Sequence, residues 1–248
     1  MKKYLIFAIA GLLFWRCSPS VDTTTLTADE YLAYAIELYN DEYYEDAVTE
    51  FQSILLQYPA SPVNDDAQYY LGLTYFAREQ YLLAAYEFSK LIRDIPTSTF
   101  VADAQYMLAE SYYELSPPFQ LDQAYTKKAL EEFQAFIDFF PADERVTEAE
   151  KKINEMNLKL AEKAFNAGRI YEKMDYNKAA ILYYQKTFET YHDTPFAPVA
   201  LYRKIKIELS KLMVDEAMKD MNVFLNIFPN SEFAEEIKTT LDEYSQFN

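Results

Sequence analysis

Five alanines along this chain occupy the same place in a repeating pattern. Each stands twelve residues before a turn residue, and a large side chain follows four residues after each alanine. The alanines are Ala47, Ala84, Ala129, Ala180 and Ala217, the turn residues are Pro59, Pro96, Pro141, His192 and Pro229, and the large side chains are Phe51, Phe88, Phe133, Tyr184 and Met221. Successive turn residues are 37, 45, 51 and 37 positions apart. A period of about 34 to 37 residues is typical of a helical solenoid.

Two amphipathic helices fit within each repeat. In the second helix, apolar residues recur at steps of three and four, as at Ala47, Phe51 and Ile54, and this spacing forms one face of an α-helix. A small residue recurs in the first helix and lets two helices approach closely, at Ala35, Gly72, Ala109 and Gly168. With only three glycines in 248 residues, hairpin turns and phosphate-binding loops are disfavoured. We therefore predict an all-α protein.

This pattern resembles the tetratricopeptide repeat, whose consensus has a small residue in the first helix and alanine, an aromatic residue and proline in the second. The resemblance covers residues 28–233 and is closest in the first two repeats. It weakens in the last two, where His192 replaces the proline, Met221 the aromatic residue and Ile205 the small residue. The resemblance implies a right-handed superhelical solenoid of about five helix pairs. The alternative is an irregular helical bundle that uses alanine often.

The beginning of the chain has the composition of an export signal. Two lysines precede an apolar stretch over residues 4–15, which is too short to span a bilayer, and the only cysteine, Cys17, follows. The segment resembles a bacterial lipoprotein leader, which implies a signal peptide over residues 1–16, fatty acyl chains such as palmitate on Cys17, and a tether over residues 17–27. Trp15 and Arg16 stand where such leaders usually have small residues. The alternative is an ordinary secretory signal cleaved nearby, with Cys17 removed or left as a free thiol.

The acidic composition limits the possible partners. Without residues 1–16 the chain keeps 20 basic residues against 40 acidic ones, a net charge of −20, which disfavours nucleic acid and anionic lipid head groups. Catalytic groups are scarce, because His192 is the only histidine and the carboxylates have the spacing of solvated helix faces. We predict no enzymatic activity, no cofactor and no metal site.

Two departures from the regular period add information. The third repeat is eight residues longer, with an insertion over residues 116–123, and 14 extra residues separate it from the fourth repeat. Residues 144–160 are charged and favour one long helix. We predict repeats one to three over residues 28–143, and the long helix with repeats four and five over residues 144–248. Together with the leader and the total length, this arrangement resembles the BamD family of outer-membrane assembly lipoproteins.

The resemblance to the BamD family implies a non-catalytic adaptor on the periplasmic face of the bacterial outer membrane, held there by a lipid anchor. Such a protein binds the periplasmic domains of the barrel-forming subunit BamA, and it binds unfolded outer-membrane proteins for membrane insertion. The alternative is a different periplasmic tetratricopeptide lipoprotein, which coordinates the envelope or peptidoglycan or serves as a secretin pilot.

A peptide-binding groove is expected on the first helices of repeats one to three. Stacked helix pairs leave a concave surface lined by each first helix, and extended peptides or partner helices dock on such surfaces. Counting repeat positions predicts eight lining residues: Leu32, Ile36, Tyr39, Tyr69, Leu73, Phe76, Tyr106 and Tyr113. Exposed aromatic side chains there would favour an apolar or aromatic-ended peptide. For each of these side chains, packing against a neighbouring helix is the alternative.

Overall fold

Helices account for all the regular structure in the part of the chain that the computed structural model describes, residues 22–59 and 61–245. A short 3-10 turn at Thr23–Thr25 comes first, and eleven α-helices follow within these residues. In chain order they are α1 (Ala28–Asn40), α2 (Tyr44–Gln57), α3 (Asn64–Ala77), α4 (Tyr81–Asp94), α5 (Val101–Glu114), α6 (Ala124–Phe139), α7 (Val146–Lys173), α8 (Asn177–Thr190), α9 (Phe196–Ser210), α10 (Val214–Ile227) and α11 (Ala234–Ser245).

Ten of these helices form five successive pairs, from α1 with α2 to α9 with α10; in the third pair, α5 and α6 share a buried core around Ala109 and Phe133. The first helix begins with a capping box, in which Thr27 and Glu30 bond to each other's backbone amides. The predicted fold class, an all-α solenoid of helix pairs, is confirmed. The last helix, α11, packs on α10 and buries Ile237 against the apolar core of the fifth pair. The repeat pattern alone does not predict this helix, which covers the apolar side of the final pair as a capping element does.

The small and large residues of the repeat meet across each pair. All five repeat alanines are fully buried, and so are the large side chains that follow them. A Cβ atom on Gly72 would lie 2.6 Å from the Phe88 ring, and one on Gly168 would lie 2.7 Å from the Tyr184 ring. In repeats two and four the glycine of the first helix therefore faces the aromatic ring of the second helix, and this close approach leaves no room for a larger side chain. Repeat five fills the same contact with Ile205 and Met221, which are both fully buried.

Four of the five pairs are joined by the same tight turn. The second residue before the second helix has a φ near 60° in each of these turns, at Glu42, Glu79, Asp175 and Leu212. The next residue donates its amide to the carbonyl five positions back, as Tyr43 does to Leu38 at 2.8 Å. This is a helix C-terminal motif that usually has glycine at the left-handed position. In this chain two glutamates, an aspartate and a leucine occupy the left-handed position in place of glycine.

The third pair has a loop in place of the tight turn, and two lysines of α7 hold it. Lys159 donates to Ser116 Oγ at 2.8 Å, while Lys163 donates to the carbonyls of Phe119 at 3.1 Å and Leu121 at 2.9 Å. The helix that carries these lysines is continuous from the segment after repeat three through the first helix of repeat four. The inserted loop is thereby fixed to the long helix.

The chain divides into two compact units, one through Val101 and the other from Ala102 onward. The first unit contains α1 to α4, and the second begins in the first turn of α5 and contains the remaining helices. The grouping of repeats over residues 28–143 and 144–248 stays a prediction.

Candidate interaction surfaces

The predicted anchor, Cys17, lies outside the described residues, as do the signal peptide over residues 1–16 and the first part of the tether. In the described stretches, no helix is both long and apolar enough to cross a membrane. The same residues hold no cluster of His, Cys, Asp and Glu side chains arranged to bind a metal ion.

Six of the eight predicted groove residues lie in the first unit, on two first helices that contact each other. Helix α1 carries Leu32, Ile36 and Tyr39, and helix α3 carries Tyr69, Leu73 and Phe76. All six side chains are half-buried. Tyr39 packs edge-to-face on Tyr70, with ring centroids 5.7 Å apart, and Tyr69 stacks on Phe100 at 4.6 Å. These rings are held in place by neighbours, and part of each surface still faces solvent.

The other two predicted groove residues, Tyr106 and Tyr113, lie in the second unit and pack inside it. The Tyr106 ring is 5.2 Å from that of Phe136 and 4.9 Å from the guanidinium of Arg145, and the Lys152 ammonium is 4.6 Å from the Tyr113 ring. Burial, followed by hydrogen bonding to a glutamate, raises the pKa of Tyr106, and the same causes raise the pKa of Tyr113 to about 12. Both tyrosines therefore pack within the second unit, in addition to any part that they expose on the predicted groove.

The first unit is strongly acidic around its predicted groove. Residues 22–101 include 14 acidic and 3 basic side chains, a net charge of −11. Asp29 and Asp66 stand one helical turn before Leu32 and Tyr69, so each carboxylate lies on the groove side of its helix. Burial and the neighbouring Asp65 raise the pKa of Asp66. This face combines aromatic rings with surplus negative charge, and a basic, aromatic segment would complement it.

The second unit has an apolar cleft that the sequence pattern does not predict. It has a volume of about 720 Å³ and lies between the start of α8 and the turn that joins α9 to α10. Tyr171, Tyr176, Ile181 and Met213 provide most of its apolar lining, and the charged side chains that line it are Asp175, Lys178 and Lys211. The Tyr171 ring stacks on Tyr183 at 5.3 Å, which fixes one wall.

Large apolar side chains in the two turns beside this cleft are open to solvent. Met174 is 54% exposed, Tyr176 is 58% exposed and Leu212 is 85% exposed. Leu212 occupies the positive-φ turn position where the other three repeats with this turn have Glu42, Glu79 and Asp175. In the sequence, a leucine at a turn position where the equivalent turns have a carboxylate is the signal that could have indicated this surface. Exposed apolar groups that cluster in this way mark an interaction surface.

The stacked helix pairs and the glycine-free turns define a helical-repeat protein of the tetratricopeptide type. The family model YfiO, described as outer membrane lipoprotein, matches residues 26–213. The chain belongs to this family, the BamD family of outer-membrane assembly lipoproteins.

Two similar proteins carry the name Outer membrane protein assembly factor BamD. The one from Rickettsia prowazekii is 28% identical over 227 residues, which cover 91% of this chain and 90% of the relative. The one from Caulobacter vibrioides is 31% identical over 112 residues, which cover 45% of this chain and 37% of the relative. Among solved structures, a tetratricopeptide repeat protein from Thermus thermophilus aligns over 88% of this chain and 98% of its own, with 18% identity and a TM-score of 0.35.

Proposed function

We propose that this chain is a non-catalytic adaptor of outer-membrane β-barrel assembly. In this proposal its second unit binds the periplasmic domains of a BamA-type barrel protein, and its first unit binds segments of unfolded outer-membrane proteins. Lipid on Cys17 holds the chain on the periplasmic face of the outer membrane. The apolar cleft beside Leu212 is the observation that carries the proposal, and membership of the BamD family supports it.

The apolar lining of the cleft favours contact with a folded partner protein over exposure to water. Its walls are apolar, and the exposed side chains of Met174, Tyr176 and Leu212 enlarge the apolar surface around it. Removing such surface from water stabilises a complex by about 25 cal/mol per Å² before the costs of association. Of the charged side chains that line the cleft, Lys178 and Lys211 are positive and Asp175, 3.6 Å from the Lys211 ammonium, is negative, which leaves one surplus positive charge in a chain whose net charge is −17. A partner surface with an apolar side chain flanked by carboxylates would complement both features.

The groove of the first unit suits a different class of ligand. Aromatic side chains on α1 and α3 can bury apolar residues of an extended segment, while Asp29 and Asp66 attract basic side chains. We propose that unfolded barrel segments with aromatic and basic residues bind here. The opposite local charge of the two surfaces would keep their ligands apart.

Co-purification tests the partner-binding surface directly. A double variant, Tyr176→Ser with Leu212→Asn, removes two exposed apolar contacts at the cleft, and the matched control Leu56→Ser removes an equally exposed leucine from the first unit. We expect the double variant to weaken binding of the periplasmic domains of the BamA-type protein from the same organism by about 10-fold or more, as for central interface residues. The control should bind normally.

Undiminished binding by the double variant would contradict a contact at the cleft. A separate pull-down from detergent-solubilised envelopes addresses the wider function. Recovery of a β-barrel protein with periplasmic domains is expected. Recovery of peptidoglycan-associated or secretin proteins in its place would favour an envelope scaffold.

A further inference from the structure

Repeat five contains a buried charged group at positions where the other repeats are uncharged. Lys204 and Glu208 occupy two positions of its first helix, and both are buried. The residues equivalent to Lys204 are Tyr34, Leu71, Leu108 and Ala167, and those equivalent to Glu208 are Leu38, Tyr75, Tyr112 and Tyr171. Because four repeats pack their helices without charge at these positions, packing alone does not require the pair.

The carboxylate of the second helix also has a different partner in repeat five. In repeats one to three, one neutral donor of the first helix satisfies this carboxylate. Tyr31 donates to Glu50 at 2.5 Å, Gln68 to Glu87 at 2.5 Å and Gln105 to Glu132 at 2.8 Å. The equivalent donor position in repeat five is Leu201, and Asp220 bonds to Lys204 instead.

Glu208 adds a second carboxylate to this group, and its partners are incomplete. Lys204 Nζ lies 3.4 Å from Glu208 Oε1 and also bonds to Asp220, so one ammonium serves two carboxylates. Glu208 is 2% exposed, and its Oε2 has no hydrogen-bond donor among residues 22–59 and 61–245. The neighbouring Arg203 is bound to Glu172 at 3.0 Å. A buried carboxylate without a donor is costly, and a proton or a cation would relieve the cost.

The titration behaviour of the group agrees with this geometry. Burial raises the pKa of Glu208 to about 7; Lys204 opposes the shift and the charge of Asp220 adds to it. Burial lowers the pKa of Lys204, but hydrogen bonding to Asp220 and the two carboxylate charges outweigh burial, and the net shift is upward. Lys204 therefore stays protonated, and the surplus charge of the group is negative.

A cleft of about 460 Å³ opens onto this group from between α8, α9 and α10. Its walls include Ile181, Leu201 and Val223. The charged side chains that line it are Glu189, Lys204, Glu208, Glu216, Lys219 and Asp220, four carboxylates and two lysines. The cleft therefore offers apolar walls, a negative lining and, in Glu208, a buried carboxylate with one unbonded oxygen.

We propose that this cleft accepts a basic side chain of a partner polypeptide, preferably arginine, which pairs with Glu208 and completes the buried charge group. Arginine fits because its apolar stem can pack on the walls while its planar guanidinium donates several hydrogen bonds to carboxylates. The site goes beyond the proposed adaptor function, and its test needs neither a barrel protein nor a substrate.

A small-molecule pair provides the test on the full-length chain in detergent micelles. Nα-acetyl-argininamide is the probe, and Nα-acetyl-citrullinamide, which has the same shape without the charge, is the control. At pH 8 we expect the arginine compound to raise the melting temperature and the citrulline compound to have no effect. In Glu208→Gln the affinity for the arginine compound should fall about 10-fold or more, since a hydrogen bond to a charged group is lost. Glu236→Gln, at an exposed carboxylate already bonded to Lys206 and Tyr202, should behave as the unmodified chain.

Several outcomes would overturn the site. One is equal stabilisation by both compounds, and another is unchanged arginine binding in Glu208→Gln. No response to the arginine compound, together with a higher melting temperature of Glu208→Gln at pH 8 but not at pH 4.5, would show that a proton alone relieves the buried carboxylate. If Glu208→Gln fails to fold, Asp220→Asn replaces it, because this change leaves Lys204 and Glu208 as a neutral pair and should weaken arginine binding by a similar factor.

Discussion

Leu212 is the apolar member of four exposed turn residues that hold a positive φ within the described residues; the others are Glu42, Glu79 and Asp175. A non-glycine residue in the left-handed region costs about 1 to 2 kcal/mol, and asparagine is among the side chains that tolerate it best. Leu212 has a φ of 60° and its side chain is almost fully solvated, so no packing within the described residues offsets the strain. The turn hydrogen bond from Met213 to the Glu208 carbonyl, at 2.9 Å, holds this conformation, as the equivalent bonds do in the other three turns.

We expect the single change Leu212→Asn both to stabilise the chain and to weaken partner binding. Relief of the left-handed strain should raise the free energy of unfolding by about 1 kcal/mol, measured by urea denaturation. The matched control is Glu79→Asn, at the same turn position of repeat two, which should stabilise comparably and leave binding of the BamA-type domains unchanged. A Leu212 variant that binds normally would assign the leucine no role in that contact.

Glu208 gives the folded chain a defined dependence on pH. Its pKa in the folded chain is raised to about 7, so the folded state prefers the protonated carboxyl. Its contribution to stability is therefore fully present below the ordinary glutamate pKa and is lost as the pH rises through 7. We expect Glu208→Gln to melt at nearly the same temperature as the unmodified chain at pH 4.5 and at a higher temperature at pH 8. A constant difference between pH 4.5 and pH 8 would contradict the raised pKa.

At the scale of elements, the contact between the small and large repeat residues holds each pair together. Ala84 is fully buried in α4, and its pair shows the 2.6 Å approach between the position of a Gly72 Cβ atom and Phe88. We expect Ala84→Leu to overpack this pair and to lower the free energy of unfolding by about 1 to 3 kcal/mol. Ala33→Leu, at an exposed position of α1, is the control and should change stability little. Equal melting temperatures for both variants would argue against the repeat alignment.

The helix pairs could be predicted because the sequence encodes both sides of each contact. Ala84 and Phe88 recur in step with Gly72, and a period that repeats five times leaves few alternatives for the fold. The cleft could not be predicted in this way. It depends on which apolar side chains remain uncovered when α8 meets the turn at Leu212, and the hydrophobic pattern does not distinguish a covered residue from an uncovered one.

The groove prediction shows the same limit at the level of single side chains. Counting places Tyr69 and Tyr106 at equivalent positions, yet Tyr69 stacks on Phe100 while Tyr106 packs on Phe136 beneath Arg145. Arg145 comes from the segment that precedes α7, where the regular period is broken. Departures from the repeat therefore change the surroundings of residues whose own positions are regular.

At the scale of the whole molecule, the proposed lipid anchor would determine where both proposed surfaces act. If lipid on Cys17 holds the chain, Cys17→Ala should move it from the membrane fraction to the soluble periplasmic fraction, because each buried CH₂ of an acyl chain contributes about 0.8 kcal/mol to membrane binding. Ser18→Ala, at the adjacent position, should remain with the membrane. Fractionation in high salt measures the distribution. Retention of Cys17→Ala after such washes would indicate an uncleaved leader or attachment through a partner protein.

The two units together predict that substrate binding and partner binding can be separated. Tyr69→Ala with Phe76→Ala should weaken binding of a basic peptide that ends in an aromatic residue, because the groove loses apolar area and ring contacts on α3. The same variant should still co-purify with BamA-type domains if these bind residues 165–228.

The matched control for this separation is Leu82→Ala with Tyr86→Ala, which removes two exposed side chains from α4 in the same unit and should leave both activities intact. Because Tyr69 stacks on Phe100, circular dichroism must show that the groove variant is folded before affinities are compared by fluorescence anisotropy. Loss of peptide binding alone is the expected result. Equal loss of both activities, or of neither, would contradict separate binding of substrate and partner by the two units. A general scaffold would then describe the chain better than an adaptor with two separate surfaces.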